Sequence, residues 1–249
     1  MKSRIGLITG CGKGIGLEII KQLIEKKENK LLIGITRSKS KDLYDLFRKY
    51  PKKLIIKMCD VSNTSRINEI IQEVYLNYGQ IDFAICNAGL RSRSSLLDSE
   101  IDLFLNIFEN NTLANINISK ILIQKNLELK KKLNLLFISS IVGARGFKDL
   151  TTYAVSKSAL DGFMKSAAVE YASKKIQINC IAPGFVESSY AENFKKNRKE
   201  LYEWTISQTP MGRWGTCKEI ADLAEFMVSE KNSFMTGSIV YCDGGWTSK

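Results

Sequence analysis

The feature that most constrains this chain is an alternation. Continuous apolar runs of strand length lie at Arg4–Thr9, Lys30–Thr36, Leu54–Cys59, Phe83–Cys86, Leu133–Ser139, Ile176–Ile181 and Ser238–Cys242. Between them lie amphipathic stretches of helix length, at about 15–27, 40–50, 63–78, 99–129, 152–174 and 216–229. A strand that is apolar throughout must be covered on both faces, and helices placed between such strands supply the cover by crossing over a parallel sheet. The pattern predicts one α/β domain over residues 1–249, a doubly wound parallel sheet of about seven strands with helices on both faces. A length of 249 residues is ample for one large core.

Composition removes several function classes. No apolar run approaches the roughly 20 residues of a membrane span, so no membrane partner is expected. The start, Met1-Lys-Ser-Arg4, leads into the first strand without a signal-peptide stretch, which points to the cytoplasm. Six cysteines at 11, 59, 86, 180, 217 and 242 form no Cys-x-x-Cys pair, and several sit inside apolar runs. That suits a reducing compartment rather than a disulfide framework or a zinc site, and no metal is expected. The chain has no histidine. A His-based triad is excluded, leaving Tyr, Lys, Asp, Glu or Cys for proton chemistry. The net charge of +11 is spread along the chain, with only short runs such as Lys130-Lys131-Lys132. No aromatic-interleaved basic tract appears, so an acidic partner or anionic cofactor is expected rather than nucleic acid.

Two stretches carry chemistry. The first strand runs into Thr9-Gly10-Cys11-Gly12-Lys13-Gly14-Ile15-Gly16 and then into a helix. Glycines between strand and helix let backbone approach a pyrophosphate near a helix N-terminus, although some of them can serve only helix-on-strand packing. The second strand ends in Arg37-Ser38. An acidic residue there would bind a ribose 2′-hydroxyl; Arg37, Ser38 and Lys13 instead suit a 2′-phosphate, unless the two cations are plain surface charges. The second stretch is Ser139-Ser140 followed by Tyr153-Ala-Val-Ser-Lys157. Tyr153 and Lys157 share a helix face. An ammonium beside a phenol favours its ionised form, which makes Tyr153 a candidate acid/base. Ser140, at a strand end, can hydrogen-bond a carbonyl beside it.

Taken with Cys86-Asn87-Ala88-Gly89, Asn111 and Pro183-Gly184, the pattern resembles the short-chain dehydrogenase/reductase family over essentially the whole chain, and within it the 3-oxoacyl-[acyl-carrier-protein] reductases. The resemblance implies a Rossmann-like fold and a tetrad of Asn111, Ser140, Tyr153 and Lys157. Asn110 is the alternative to Asn111 within Glu109-Asn-Asn-Thr112. Asn111 would hold a water and the helix geometry for a proton relay, Ser140 would orient the carbonyl, Tyr153 would donate the proton, and Lys157 would bind the nicotinamide ribose. It implies NADP contacts from Gly10, Gly12, Lys13, Gly14, Ile15, Gly16, Arg37, Ser38, Asp60, Val61, Asn87, Ala88, Gly89, Tyr153, Lys157, Pro183, Gly184, Val186 and Ser188. Cys86 and Ser188 depart from the family's usual Asn and Thr.

The resemblance further implies NADPH-dependent reduction of a carrier-bound 3-oxoacyl group in fatty acid synthesis, by a homotetramer. Reduction of a sugar, polyol or other small alcohol is the alternative, with Arg91 and Arg93 available to an anionic substrate. A catalytically silent cofactor-binding sensor is a third reading, which the intact tetrad disfavours. Lys131 and Lys174 fall where carrier-docking cations stand, and the two lysine runs, Lys130-Lys131-Lys132 and Lys174-Lys175, are expected near the mouth of the site. Residues 184–215 show no clear periodicity and read as a substrate lid. Their aromatics, Phe185, Tyr190, Phe194, Tyr202 and Trp204, would either line an apolar site or pack the lid onto the body.

Overall fold

The computed structural model describes residues 3–249, with the side chains of Ser189, Tyr190 and Asn193 outside the description. In chain order the elements are β1 (Arg4–Thr9), α1 (Gly14–Glu25), β2 (Asn29–Thr36), α2 (Lys41–Lys49), β3 (Leu54–Met58), α3 (Thr64–Asn77), β4 (Phe83–Cys86), α4 (Ile101–Phe108), α5 (Ala114–Glu128), β5 (Leu133–Ile138), α6 (Thr151–Tyr171), β6 (Ile176–Pro183), β7 (Val186–Glu187), α7 (Ser189–Asn197), α8 (Lys199–Gln208), β8 (Gly215–Thr216), α9 (Cys217–Val228) and β9 (Ile239–Cys242). Seven strands form one sheet in the order β3-β2-β1-β4-β5-β6-β9, all paired in parallel, and β7 pairs with β8 apart from it. The sequence-predicted sheet is therefore present, each large strand within about two residues of its expected bounds.

The two-sided burial that made the strands legible is visible within β1. Ile5 and Leu7 pack into one core with Ile67 and Ile71 of α3, Leu122 of α5 and Leu160 and Met164 of α6. Ile8 points the other way, into a second core with Ile20 and Leu23 of α1, Leu43 of α2 and Ile220 and Met227 of α9. Alternate residues of a strand face opposite sides, so an unbroken apolar run feeds both layers.

Two expectations need correction. The single helix expected over 99–129 is two, α4 and α5, joined by one π-helical turn at Glu109–Leu113. The wide turn frees backbone carbonyls, and side-chain amides take them up: Asn115 Nδ2 donates to Asn111 O at 2.7 Å and Asn110 Nδ2 to Asn106 O at 3.0 Å. The interval 184–215 is not without periodic structure. It contains β7, α7 and α8. Its helices hide in the sequence because few of their residues are apolar and what orders them is tertiary. Trp214, only 3% exposed, packs against Phe185, Phe194 and Tyr202 with centroids 5.3, 5.5 and 4.8 Å away, and its Nε1 donates to Thr205 Oγ1 at 2.9 Å. Of the expected lid aromatics, Phe194 and Tyr202 thus serve packing on Trp214. Trp204 is about half exposed, and the Tyr190 side chain lies outside the described residues.

Candidate active site

The cleft opens at the carboxyl ends of the strands, where the strand order reverses between β1 and β4, the place where open α/β sheets bind ligands. It consists of two cavities of about 290 Å3 each, which share Ile15, Asn87, Gly89, Leu90 and Ser188 in their walls. The first is built on the loop between β1 and α1. Gly10, Gly12, Lys13, Gly14 and Ile15 line it, opposite Arg37, Ser38, Asp60, Val61, Asn87, Ala88 and Gly89. Gly10 has φ +65°, and a Cβ there would fall 2.7 Å from the Ala88 backbone. Gly14, the first residue of α1, has φ +55°, and a Cβ there would meet only the Ser188 side chain, at 3.6 Å. The loop is thus pressed against the segment that follows β4 on one side and bare toward the cleft on the other, at a helix N-terminus. That is the cradle a pyrophosphate needs. Gly16 lines neither cavity; a Cβ there would strike Gly10 O at 2.3 Å, so its part is packing.

Hydrogen bonds lace the loop to the next strand. Thr9 Oγ1 accepts from the backbone N–H groups of Asn87 and Ala88 at 3.1 and 3.0 Å, and Asn87 Nδ2 donates to the carbonyls of Thr9 and Gly10 at 3.2 and 3.0 Å. Cys86, where the family usually has Asn, is buried. Burial pushes its thiol up to about 12, which leaves it an inert packing group. At the far end Arg37 is exposed, its Nη1 3.4 Å from Asp60 Oδ2. Burial pushes the Asp60 carboxyl up, but bonds from the Ser62 N–H and hydroxyl and from Arg37 together outweigh it and hold the group below the usual range. Lys13 and Arg37 therefore bracket this end of the cavity as cations, while the one carboxylate beside them is already engaged. This donor set fits a nucleotide bearing a 2′-phosphate.

The second cavity is lined by Ser139, Ser140, Tyr153, Lys157, Pro183, Gly184, Val186 and Ser188. Tyr153 and Lys157 lie in the first two turns of α6. Lys157 is 3% exposed; its Nζ donates to Ile138 O at 2.8 Å and stands 5.7 Å from the centre of the Tyr153 ring. Arg91 places its guanidinium 5.8 Å from the same ring. Ser140 Oγ accepts from Val142 N at 3.3 Å, capping a short 3-10 turn at Ile141–Gly143. Accepting there leaves its hydroxyl proton available to a ligand.

Asn111 touches neither cavity. It is fully buried and clamps Leu90 by both backbone groups: Leu90 N donates to its Oδ1 at 2.7 Å, and its Nδ2 donates to Leu90 O at 2.8 Å. The same Nδ2 donates to Ser156 Oγ at 3.0 Å, which in turn donates to Tyr153 O at 2.8 Å. The π turn thus fixes the loop after β4 to the helix that carries Tyr153. Asn110, the alternative, does line the first cavity.

Other residues of the site carried little sequence signal. Leu90, Phe185 and Trp214 line the cleft as ordinary apolar positions. Asp161 is 7% exposed behind Ser139 and Lys157, with its Oδ1 lacking a hydrogen-bond partner. Its oxygen lies so close to Gly143 that a Cβ there would stand 2.6 Å from it. Burial pushes this carboxyl up, against the opposing pull of Ser139, Cys180 and Lys157. Its spacing of four from Lys157 was the one available hint.

The lysine runs are not at the mouth. The strands run toward the cleft, so Lys131, before β5, and Lys174, before β6, lie at the other end of the sheet from it. Their neighbours Lys130 and Lys175 take φ +52° and +64° where helical turns end, so these lysines sit at helix ends.

A parallel sheet with a glycine loop at its reversal point, and a Tyr–Lys pair facing that loop, define a nucleotide-dependent oxidoreductase class. A family model described as Enoyl-(Acyl carrier protein) reductase matches residues 10–247. The chain belongs to the short-chain dehydrogenase/reductase family. It is 32% identical over 244 residues to a 3-oxoacyl-[acyl-carrier-protein] reductase FabG of Chlamydia muridarum, covering 98% of this chain and 97% of that one. Among solved structures it is similar to ElxO with NADP bound, at TM-score 0.92 and 28% identity with both chains fully covered. It is similar also to a 4-hydroxyisoleucine dehydrogenase complexed with NADH, at TM-score 0.92 and 28% identity, covering 99% of this chain and 100% of that one.

Proposed function

We propose that this chain is an NADPH-dependent 3-oxoacyl-[acyl-carrier-protein] reductase. The observation that carries the reading is the convergence of the Ser140 and Tyr153 side chains with buried Lys157 in one cavity that opens onto the glycine loop. Bound NADPH would supply the hydride. Ser140 hydrogen-bonds the substrate oxygen and fixes the carbonyl against the cofactor. Tyr153 delivers its hydroxyl proton to the oxygen as negative charge develops there, and the Lys157 ammonium stabilises the phenolate left behind. Asn111 is a positioning residue that acts through Leu90 and Ser156. Lys13, Arg37 and Ser38 hold the 2′-phosphate, Asp60 and Val61 border the adenine end, and Pro183, Gly184, Val186 and Ser188 border the nicotinamide. Residues 184–215 form the substrate lid.

The matched family description and the reductase relatives share a carrier-bound acyl substrate and differ in the bond reduced. Two hydroxyl-bearing side chains in one cavity suit an oxygen, and hence a carbonyl. The test is NADPH oxidation with acetoacetyl-coenzyme A beside crotonyl-coenzyme A, for the wild type and Tyr153→Phe. Turnover of the first thioester alone, lowered by about 10²–10⁴-fold in the variant with NADPH binding retained, is expected. Turnover of crotonyl-coenzyme A alone would overturn the carbonyl assignment. A second reading, reduction of a sugar acid or other small anionic substrate, is favoured by Arg91 beside the Tyr153 ring; activity on small keto acids but not thioesters would select it.

Exposed apolar side chains on α4 and in the π turn, Ile101, Leu105 and Leu113, fit a homotetramer, which sedimentation velocity would read. Six free thiols fit the reducing cytoplasm.

A further inference from the structure

The largest of the cavities described lies outside the cleft. It holds about 590 Å3, twice either cleft cavity, and α8 forms one wall through Leu201, Trp204, Thr205 and Gln208. Its side-chain charge is one-sided. Arg93, Arg145, Lys148, Arg198 and Lys249 line it against a single acidic side chain, Asp149. That carboxylate is shared with Arg93, at 4.0 Å, and Arg93 also donates to Lys148 O at 3.0 Å. Arg145 is anchored on the backbone oxygens of Thr247 and Lys249, at 2.8 and 3.2 Å. Lys148 and Arg198 are exposed and form no ion pair among the described residues. Cations brought from separate segments to one concave surface in excess over the acidic groups beside them form an anion site.

The rest of the wall is aromatic. Phe147 stacks on Trp246 at 5.7 Å, and Trp204 meets Trp246 edge-on at 5.9 Å while staying about half exposed. Phe185 packs on Trp246 at 5.1 Å and lines both this cavity and the one that holds Tyr153. Tyr153 itself packs into the cluster of Phe147, Phe185 and Trp246. Phe185 is common to the two linings, so the cavities adjoin across this aromatic wall and the cations stand on its far side from Tyr153.

We infer that this cavity is a substrate subsite for a phosphate-bearing arm, with planar amide groups lying on the aromatic wall and the phosphate held by Lys148 and Arg198. The inference rests on the carrier-thioester reading above, because an acyl group on a carrier protein hangs from a phosphopantetheine arm. The phosphate of that arm is the anion nearest the thioester. Arginine and lysine together suit it, the first by directed paired N–H bonds and the second as a point charge.

The test compares two acetoacetyl thioesters under NADPH, one on phosphopantetheine and one on pantetheine without phosphate, in the wild type and in the double variant Lys148→Gln, Arg198→Gln. The wild type is expected to show a KM about tenfold lower for the phosphorylated thioester. The variant is expected to lose that difference through a higher KM for the phosphorylated thioester. Equal KM values in the wild type, or an equal change on both thioesters in the variant, would overturn the subsite. If neither thioester is turned over, the reductase reading has failed, and calorimetric titration of the NADP-loaded protein decides the cavity separately. Binding of phosphopantetheine but not pantetheine, lost in the variant, would support it; equal or absent binding of the two would overturn it.

Discussion

Lys157 and Asp161 sit one helical turn apart on α6, both buried, yet they meet different ends. Lys157 is satisfied, fixed on Ile138 O and facing Tyr153. Asp161 has an unpartnered oxygen against Gly143, and burial raises its carboxyl above the ordinary value of 3.8. A raised acid binds its proton more tightly in the folded state than in the unfolded one. Its stabilising contribution is therefore present below pH 3.8 and is lost as pH rises through the raised folded value. Asp161→Asn keeps the shape and removes the titration. Urea denaturation is expected to show the variant more stable than the wild type at pH 8, with the gap narrowing as the pH is lowered. A variant less stable than the wild type by the same amount at every pH would show that the carboxylate is held for its attraction to Ser139, Cys180 and Lys157 instead. None of this was legible beforehand, because a carboxylate four residues after a lysine reads as a helix-face ion pair, and only the fold turns it inward.

At the scale of elements, what could be read in advance depended on whether order came from local pattern or from distant contacts. The inner strands were legible because both faces of each are buried. The start of α9 was legible because its cap is written into four residues: Thr216 Oγ1 accepts from Glu219 N and the Glu219 carboxylate accepts from Thr216 N. Arg213, by its hydrogen bond to that carboxylate, and Thr216 hold the Glu219 group down at about 2 instead of 4.5. This depressed acid contributes stability above pH 4.5 that is lost as pH falls through about 2. Thr216→Ala is expected to lower stability by about 1 kcal/mol, read as a shift in the urea midpoint without a change of slope. A shift no larger than that of an exposed threonine elsewhere would mean that Arg213 and β8 hold the helix end unaided. The π turn and the pair α7 and α8 were illegible for the opposite reason. Asn115 and Asn111 look like any helical asparagines until the widened turn brings amide to carbonyl, and α7 and α8 are ordered by Trp214 from beyond their own ends.

For the whole molecule, the sheet order brings together stretches far apart in the chain. The glycine loop after β1, Arg37 after β2, Asp60 after β3, Asn87 after β4, Ser140 after β5 and Ser188 after β6 all line one cleft, because parallel strands deliver their carboxyl ends to the same side. The same polarity moves Lys131 and Lys174 away from it. Motif positions at strand ends were thus readable from the sequence, whereas the charged cavity under α8 was not, since its cations come from segments that only the tertiary fold brings together. Similarity of fold does not select the nicotinamide cofactor, as likeness extends to structures with NADP and with NADH. The selection rests on Lys13, Arg37 and Ser38 at one end of this cleft. The most direct measurement is the ratio of kcat/KM for NADPH and NADH with acetoacetyl-coenzyme A, in the wild type and in Arg37→Glu. Turnover with NADPH preferred by about tenfold or more is expected, with loss of that preference in the variant through a higher KM for NADPH. Equal or better use of NADH by the wild type would contradict it.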